Sequence, residues 1–152
     1  MHWSNSRLLT PLLALALLFS PQAFALDKIN TTFWGNLAIE GYDPVAYFTE
    51  NKAVEGKKQH ELEWMGATWR FSSAEHLALF KENPEKYAPQ YGGYCAYAVS
   101  QNTTAGIEPD LFTIHQGKLY LNYNRSINRK WLEKRDQYIT DADNNWPQLL
   151  NE

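Results

Sequence analysis

The alternation of hydrophobic and polar residues predicts two β-hairpins in this chain. Apolar and polar residues alternate over 61–71 on either side of the dipeptide Met65-Gly66. The same alternation recurs over 111–123 on either side of Gln116-Gly117. A two-residue turn that ends in glycine is typical of a tight hairpin, and successive side chains of a strand point to opposite faces. Each hairpin should therefore present one apolar face to a core.

Helical spacing follows each hairpin. Apolar residues at 77–80 form one stripe, Ser72 begins a Ser-x-x-Glu capping box, and Asn83-Pro84 should end this helix. Asn124 can cap a later helix whose apolar face runs to Pro147. The pattern predicts an α+β fold, a small single domain of short antiparallel hairpins packed with two or three helices.

The segment before the first hairpin holds a turn and further apolar residues. Residues 26–41 offer Phe33 and Trp34, among others, to the core. Residues 41–44 read Gly-Tyr-Asp-Pro, which is a turn signal. The apolar residues 45–48 that follow are expected to form a short strand.

Residues 1–25 have the pattern of a secretory signal peptide. An apolar run over 8–19 is followed by Ala23-Phe24-Ala25, which resembles a small-residue cleavage site. We predict removal of 1–25 by a general secretory route, which leaves a single domain over 26–152 in the periplasm or outside the cell. No second apolar run of membrane-spanning length follows in the sequence.

Composition narrows the function classes. The formal net charge is −3, and no basic patch interleaved with aromatic residues occurs, which argues against nucleic acid as the main partner. A single cysteine cannot close an internal disulfide, so the fold must depend on its hydrophobic core. Six Trp, nine Tyr and seven Phe supply large apolar side chains for it.

The only cysteine, Cys95, lies in a stretch rich in glycine and tyrosine over 83–97. A free cysteine is most often a small buried hydrophobe, but an exported thiol can also bind a metal or pair with another chain. The sequence leaves these alternatives open.

Three motifs resemble the YHS domain family. They are Asp43-Pro44-Val45, the hairpin motif from His60 through Gly66 to Phe71, and 83–87, which reads Asn-Pro-Glu-Lys-Tyr. The motifs stand in the family's order and spacing, so we place the core motif at 43–97, with a C-terminal hairpin and helix at 111–147. The resemblance implies a small domain suspected of binding a metal, usually copper, and found elsewhere beside copper-transporting pumps and some oxygenases.

The resemblance also implies where the metal ligands would lie. Three cysteine positions of the family's thiolate form are Ala46, Ser72 and His76 here, so a cysteine-rich site cannot be carried over. The ligands would instead be Cys95, His76 and His60. Sulfur with imidazole nitrogen suits copper or zinc. The first hypothesis is therefore a periplasmic protein that binds, stores or transfers a transition metal ion.

The second hypothesis is a non-catalytic interaction module with an aromatic groove and a structural core cysteine, and its partner would be a periplasmic protein or a small apolar ligand. Asp43 is either a turn-former or the group that orients an imidazole. A third hypothesis, a metal-dependent or thiol-dependent oxidoreductase, has no catalytic motif to support it, and an enzyme is the less favoured class. The residues that could line a groove are Tyr42, Tyr91, Tyr94 and Tyr97.

Overall fold

A computed structural model describes residues 25–151 of the chain. The signal peptide predicted for 1–25 lies outside the described residues except for Ala25, and it stays a prediction. Within 25–151 the chain forms a small α+β domain with two two-stranded antiparallel sheets, as the sequence pattern predicted, and with six α-helices rather than the two or three expected. In chain order the elements are α1 (Ala46–Thr49), β1 (Lys57–Trp64), β2 (Ala67–Phe71), α2 (Ala74–Glu82), α3 (Pro84–Tyr87), α4 (Ala96–Ser100), β3 (Phe112–His115), β4 (Lys118–Leu121), α5 (Arg125–Glu133) and α6 (Arg135–Leu149).

Both predicted hairpins are confirmed. In the first, Leu62 faces Trp69 across β1 and β2, and the register becomes irregular between Lys57 and Glu61. In the second, residues 112–115 pair with residues 118–121 without interruption. The alternation of apolar and polar residues therefore predicted both strand pairings correctly, because alternate side chains of a strand lie on the same face of the sheet.

The strand predicted for residues 45–48 is wrong, because this segment is the short helix α1. Its first amides are bound by the side chain of Asp43, which accepts hydrogen bonds from the N–H groups of Val45 and Ala46. A carboxylate that accepts hydrogen bonds from such amides favours a helical start over an extended strand.

The capping residue of α2 is Ser73 rather than the predicted Ser72. The hydroxyl of Ser73 accepts a hydrogen bond from the N–H of His76 at 3.1 Å.

The C-terminal helix is two helices rather than one. The Asn124 cap is confirmed, since its side chain accepts a hydrogen bond from the N–H of Ile127. However, Lys134 adopts a non-helical backbone conformation and separates α5 from α6. Pro147 does not end α6, which continues to Leu149. A proline in the last turn removes one hydrogen bond there, and Leu149 remains buried in the core.

Two clusters of buried side chains form the core. The larger one joins the first hairpin to α2 and β4, with Trp69, Phe71, Phe80 and Leu119 fully buried. The smaller cluster packs α4 against α6. Across residues 25–151, no helix combines the length and the apolar composition that a membrane crossing requires.

Two aromatic residues expected in the core lie on the surface instead. Phe33 is 89% exposed and Trp34 is 83% exposed. Their segment turns back on itself, with an antiparallel bridge between Thr31 and Ala38, so the tip that holds both rings projects from the body. The prediction failed because hydrophobicity alone does not show which apolar residues the chain can cover.

Candidate functional site

Asp43 lies at the centre of a buried polar cluster that joins three elements. The residue is fully buried, and its Oδ1 accepts hydrogen bonds from the N–H groups of Val45 at 2.9 Å and Ala46 at 3.3 Å. Its Oδ2 accepts from the N–H of Ser72 at 2.8 Å and from the Ser72 hydroxyl at 2.6 Å. The Nδ1 of His76 lies 2.6 Å from the same oxygen. A buried carboxylate requires several hydrogen-bond donors, because they replace the water molecules that it loses on burial.

The position of Asp43 defines the orientation of His76. A ring nitrogen this close to a carboxylate oxygen carries the proton, so Nδ1–H donates to Asp43 and Nε2 points the other way. Nε2 lies 3.3 Å from the hydroxyl oxygen of Thr49, and the one proton of this hydroxyl is donated to the carbonyl of Val45. The imidazole is mostly covered, with 14% of the side chain exposed.

Ser72 does not occupy the nucleophile's place of a catalytic triad in this cluster. The hydroxyl opposite the carboxylate belongs to Thr49, and its proton is donated to the carbonyl of Val45. In a triad the nucleophilic hydroxyl stands at the imidazole nitrogen opposite the carboxylate. Ser72 instead donates its proton to Asp43 and lies 3.3 Å from Nδ1, on the carboxylate side of the ring. This arrangement holds α1, the end of β2 and the start of α2 together, and it gives Ser72 no base.

Cys95 is a core residue in this structure. The thiol is 1% exposed and lies 3.5 Å from Oδ1 of Asn122, which also accepts a hydrogen bond from the N–H of Tyr97. Burial raises the pKa of the Cys95 thiol, and hydrogen bonds from the backbone amides of Ala98, Tyr123 and Tyr97 offset part of this shift. A protonated, covered thiol is a poor metal ligand, since the thiolate is the form that binds.

The three expected ligands do not form one group. His60 lies half-buried on β1, in the irregular stretch of the hairpin register. Among residues 25–151 there is no set of three or more His, Cys, Asp or Glu side chains placed to hold a metal ion. A closed site built from Cys95, His76 and His60 therefore does not fit this arrangement.

A groove of about 410 Å³ shares no lining residue with the Asp43 cluster. Its apolar lining includes Trp64 and Met65 from the first hairpin, Pro89 and Tyr91 from the glycine-tyrosine stretch, and Trp146 from α6. Two lysines, Lys28 and Lys118, also line it. The groove has mainly apolar walls and a few polar groups, and it lies largely open to solvent rather than enclosed.

Position 92, in the lining of this groove, requires glycine because the backbone of Lys28 lies very close to it. Its φ is +60°, and a Cβ atom at this position would lie 1.9 Å from the carbonyl oxygen of Lys28. The N–H of Asn30 donates to the carbonyl of Gly92 at 2.8 Å, so the N-terminal segment lies directly against this turn. Only glycine permits both the positive φ and this approach.

Tyr91 is the one predicted tyrosine that lines the groove. Its hydroxyl donates to Oδ1 of Asp143 at 2.8 Å, and burial, followed by this hydrogen bond, raises the pKa of Tyr91. Tyr94 stacks beside Trp146 with ring centroids 5.9 Å apart, and Tyr97 packs edge-on against Tyr138.

Tyr42 does not line the groove, and it forms a backbone bridge with Glu55. The sequence reasoning missed the hairpin tip, α6 and both lysines as groove residues. The turn at Met65-Gly66 was visible in the sequence, but no local pattern places it beside α6.

The family model of the YHS domain matches residues 45–91. Residues 45–91 are therefore similar to a YHS domain. The match covers less than half of the chain, from α1 through Tyr91, and searches of curated proteins and of solved structures returned no match. Asp43 and Cys95 lie just outside the matched range on either side. The groove lies at its border, since Trp64 and Tyr91 belong to the matched range and Trp146 does not.

Proposed function

We propose that this protein is a non-catalytic binding module that takes a small apolar ligand with an anionic group into the aromatic groove. The observation that carries the proposal is the combination of aromatic walls and lysine side chains in one groove of about 410 Å³. The aromatic rings of Tyr91 and Trp146 offer apolar contact area to such a ligand.

The charges of the groove favour an anion. Lys28 and Lys118 are exposed, and neither makes an ion pair with any residue in the range 25–151. The acidic residue of the groove, Asp143, accepts a hydrogen bond from the Tyr91 hydroxyl. A carboxylate or sulfonate on the ligand would therefore be attracted by the lysines of the lining, in a chain whose net charge is −3.

A matched pair of fluorescent probes tests this proposal. 8-Anilinonaphthalene-1-sulfonate and N-phenyl-1-naphthylamine share an aromatic body, and only the first carries a charge. We expect both probes to bind, the sulfonate more tightly. The double substitution Lys28→Gln/Lys118→Gln should weaken binding of the sulfonate by about threefold to tenfold and leave the neutral probe unchanged.

The control is Lys58→Gln/Lys134→Gln, which removes two exposed lysines that do not line the groove. Near-UV circular dichroism of each variant would establish that the probes report on folded protein. Failure of both probes to bind the wild type would contradict the proposal, as would equal loss of both probes in the groove variant.

A second candidate is transition-metal binding through His76, with copper favoured, as the resemblance to the YHS family implied. The specific observation in its favour is the hydrogen bond between Nδ1 and Asp43, because metal-binding histidines commonly donate their other ring N–H to a carboxylate. Here Nε2 would supply the protein ligand and water the others, which a partner molecule could replace when an ion is transferred in the periplasm.

Titration with Cu(II) and Zn(II) tests the second candidate. Binding of about one equivalent should be lost in His76→Gln and retained in His115→Gln, whose imidazole lies on the second hairpin. Because Cys95 is buried, Cys95→Ser should still bind metal. Loss of binding in a folded Cys95→Ser variant would instead support the nitrogen and sulfur ligand set, and no binding by the wild type would remove this candidate.

A further inference from the structure

The segment 31–38, named here the aromatic loop, has the features of a preformed contact. Phe33 and Trp34 pack against each other edge to face, with centroids 4.9 Å apart, and both are more than 80% exposed. Large apolar side chains that a fold leaves in water mark interaction surfaces when they are contiguous. Trp in particular is enriched among the residues that contribute most to protein binding.

The backbone of the aromatic loop is held in place. The N–H of Thr32 donates to the carbonyl of Leu37 at 3.0 Å, and the Thr32 hydroxyl donates to the carbonyl of Trp34 at 2.7 Å. The Asn36 side chain donates to the carbonyl of Gly66, which ties the loop to the tip of the first hairpin. A loop ordered before binding loses little conformational entropy on association, so its exposed rings can contribute more fully to affinity.

The aromatic loop is also free of charge. No Asp, Glu, Lys or Arg occurs between Lys28 and Glu40. Depletion of charged residues is typical of the buried centre of a protein interface.

The groove offers the complementary surface, and it lies next to the loop. Met65 lines the groove, and Gly66, its neighbour in the same turn, accepts the hydrogen bond from Asn36. An aromatic pair and an aromatic groove thus border one hairpin tip. Two complementary surfaces on one face of a chain permit a two-fold symmetric dimer. In such a dimer, the aromatic loop of each copy would enter the groove of the other copy.

We propose that a second copy of this chain occupies the groove, each protomer inserting Phe33 and Trp34 beside the Trp146 ring of the other. A covered Phe or Trp buries about 150–250 Å². Two inserted pairs would then bury roughly 600–1,000 Å² of loop and a similar area of groove, about 1,200–2,000 Å² together. This is the range of specific protein interfaces. The inference rests on the proposed function, since the same groove would take the apolar ligand, and ligand and loop would exclude each other.

Sedimentation equilibrium of the processed protein over a range of concentrations tests the proposal. The wild type should form a dimer. Phe33→Ser/Trp34→Ser should raise the dissociation constant by about 30-fold or more, the loss expected when central aromatic contacts are removed. Met65→Asn removes an apolar side chain from the groove and should also weaken the dimer. Its φ is +50°, a conformation that asparagine tolerates well, so this variant should fold.

A mixture of the two variants sharpens the test. Each retains what the other lacks, so one intact insertion can form between them, and the mixture should associate more strongly than either variant alone. The proposal is overturned if the wild type is monomeric, if both variants dimerise as the wild type does, or if the monomer binds neutral phospholipid vesicles through Trp34 instead.

Competition separates this proposal from the proposed function. Saturating N-phenyl-1-naphthylamine should dissociate the dimer. A probe that binds a monomeric wild type would overturn the dimer and leave the proposed function intact. A dimer that depends on the aromatic loop but does not respond to either probe would support the second copy as occupant and contradict the small-ligand function.

Discussion

The Asp43 cluster differs from the face formed by the groove and the aromatic loop in whether its chemical groups have partners inside the molecule. Both oxygens of the Asp43 carboxylate accept hydrogen bonds from groups inside the molecule. On the groove face, by contrast, Phe33 and Trp34 remain in solvent and two lysines have no anionic partner within 25–151. Satisfied groups stabilise a fold, and unsatisfied ones are available to bind. We therefore assign stability to the first region and recognition to the second.

Removal of the Asp43 carboxylate should have the largest effect. Asp43→Ala leaves the amide of Ser72 and the imidazole of His76 without their buried acceptor, which should lower the free energy of unfolding by about 3–5 kcal/mol. Urea denaturation measures this loss. Glu85→Ala removes an exposed carboxylate of α3 and is the control. A loss below about 1 kcal/mol would mean that the cluster is not the support of the fold described here.

Gly92→Ala should have the next largest effect, because Gly92 forms the close contact with Lys28 in the wall of the groove. The added Cβ would collide with the carbonyl of Lys28, and φ is already positive, so we expect a loss of at least about 2 kcal/mol and displacement of the N-terminal wall of the groove. Gly106→Ala meets no atom within 4 Å and serves as the control. If Gly92→Ala matched this control in both stability and probe binding, the close approach would not exist in solution.

Cys95→Ser tests whether the cysteine belongs with the stable region. A hydroxyl in place of the buried thiol should lower the free energy of unfolding by about 1–3 kcal/mol. In the native wild type the thiol should react with Ellman's reagent only as fast as the protein opens. Rapid reaction without unfolding would show an accessible thiol and would return Cys95 to the list of candidate ligands.

The pH dependence of stability follows from the same burial. The folded state holds the Cys95 proton more tightly than the unfolded state, whose thiol has a pKa near 9.0. The contribution of this thiol to the free energy of unfolding is therefore fully present below pH 9. It should be lost as the pH rises through the pKa of Cys95 in the folded state. Cys95→Ala should show a shallower fall between pH 9 and 10. Tyr91 adds to the loss above pH 10, because its pKa is also raised, and Tyr91→Phe would separate the two contributions.

The contrast between the two regions also explains how far the sequence could predict the molecule. Local rules gave the hairpins and the Asn124 cap, since alternation and capping act within a few residues. For Asp43 the sequence offered a turn-former or a group that orients an imidazole, and the carboxylate does both, one oxygen for each.

What the sequence could not give depends on residues distant in the chain. The helix at 46–49 is stabilised by Asp43, which is itself fixed by His76, 33 residues away. The groove joins Lys28 to Trp146. Likewise, the exposure of Phe33 and Trp34 follows from how the whole chain packs, and no local pattern distinguishes them from core aromatics.

The smallest effect on stability should come from a substitution in the aromatic loop. This substitution tests most directly whether the loop serves recognition rather than stability. Trp34→Ala removes a large ring that is 83% exposed, so the stability of the monomer should change by no more than about 0.5 kcal/mol. Trp69→Ala removes the same side chain from the core and should lower the free energy of unfolding by about 3–5 kcal/mol. Denaturation at a concentration below the dimer dissociation constant compares the two. If Trp34→Ala cost as much as Trp69→Ala, the loop would be part of the fold, and its rings could not be assigned to a partner.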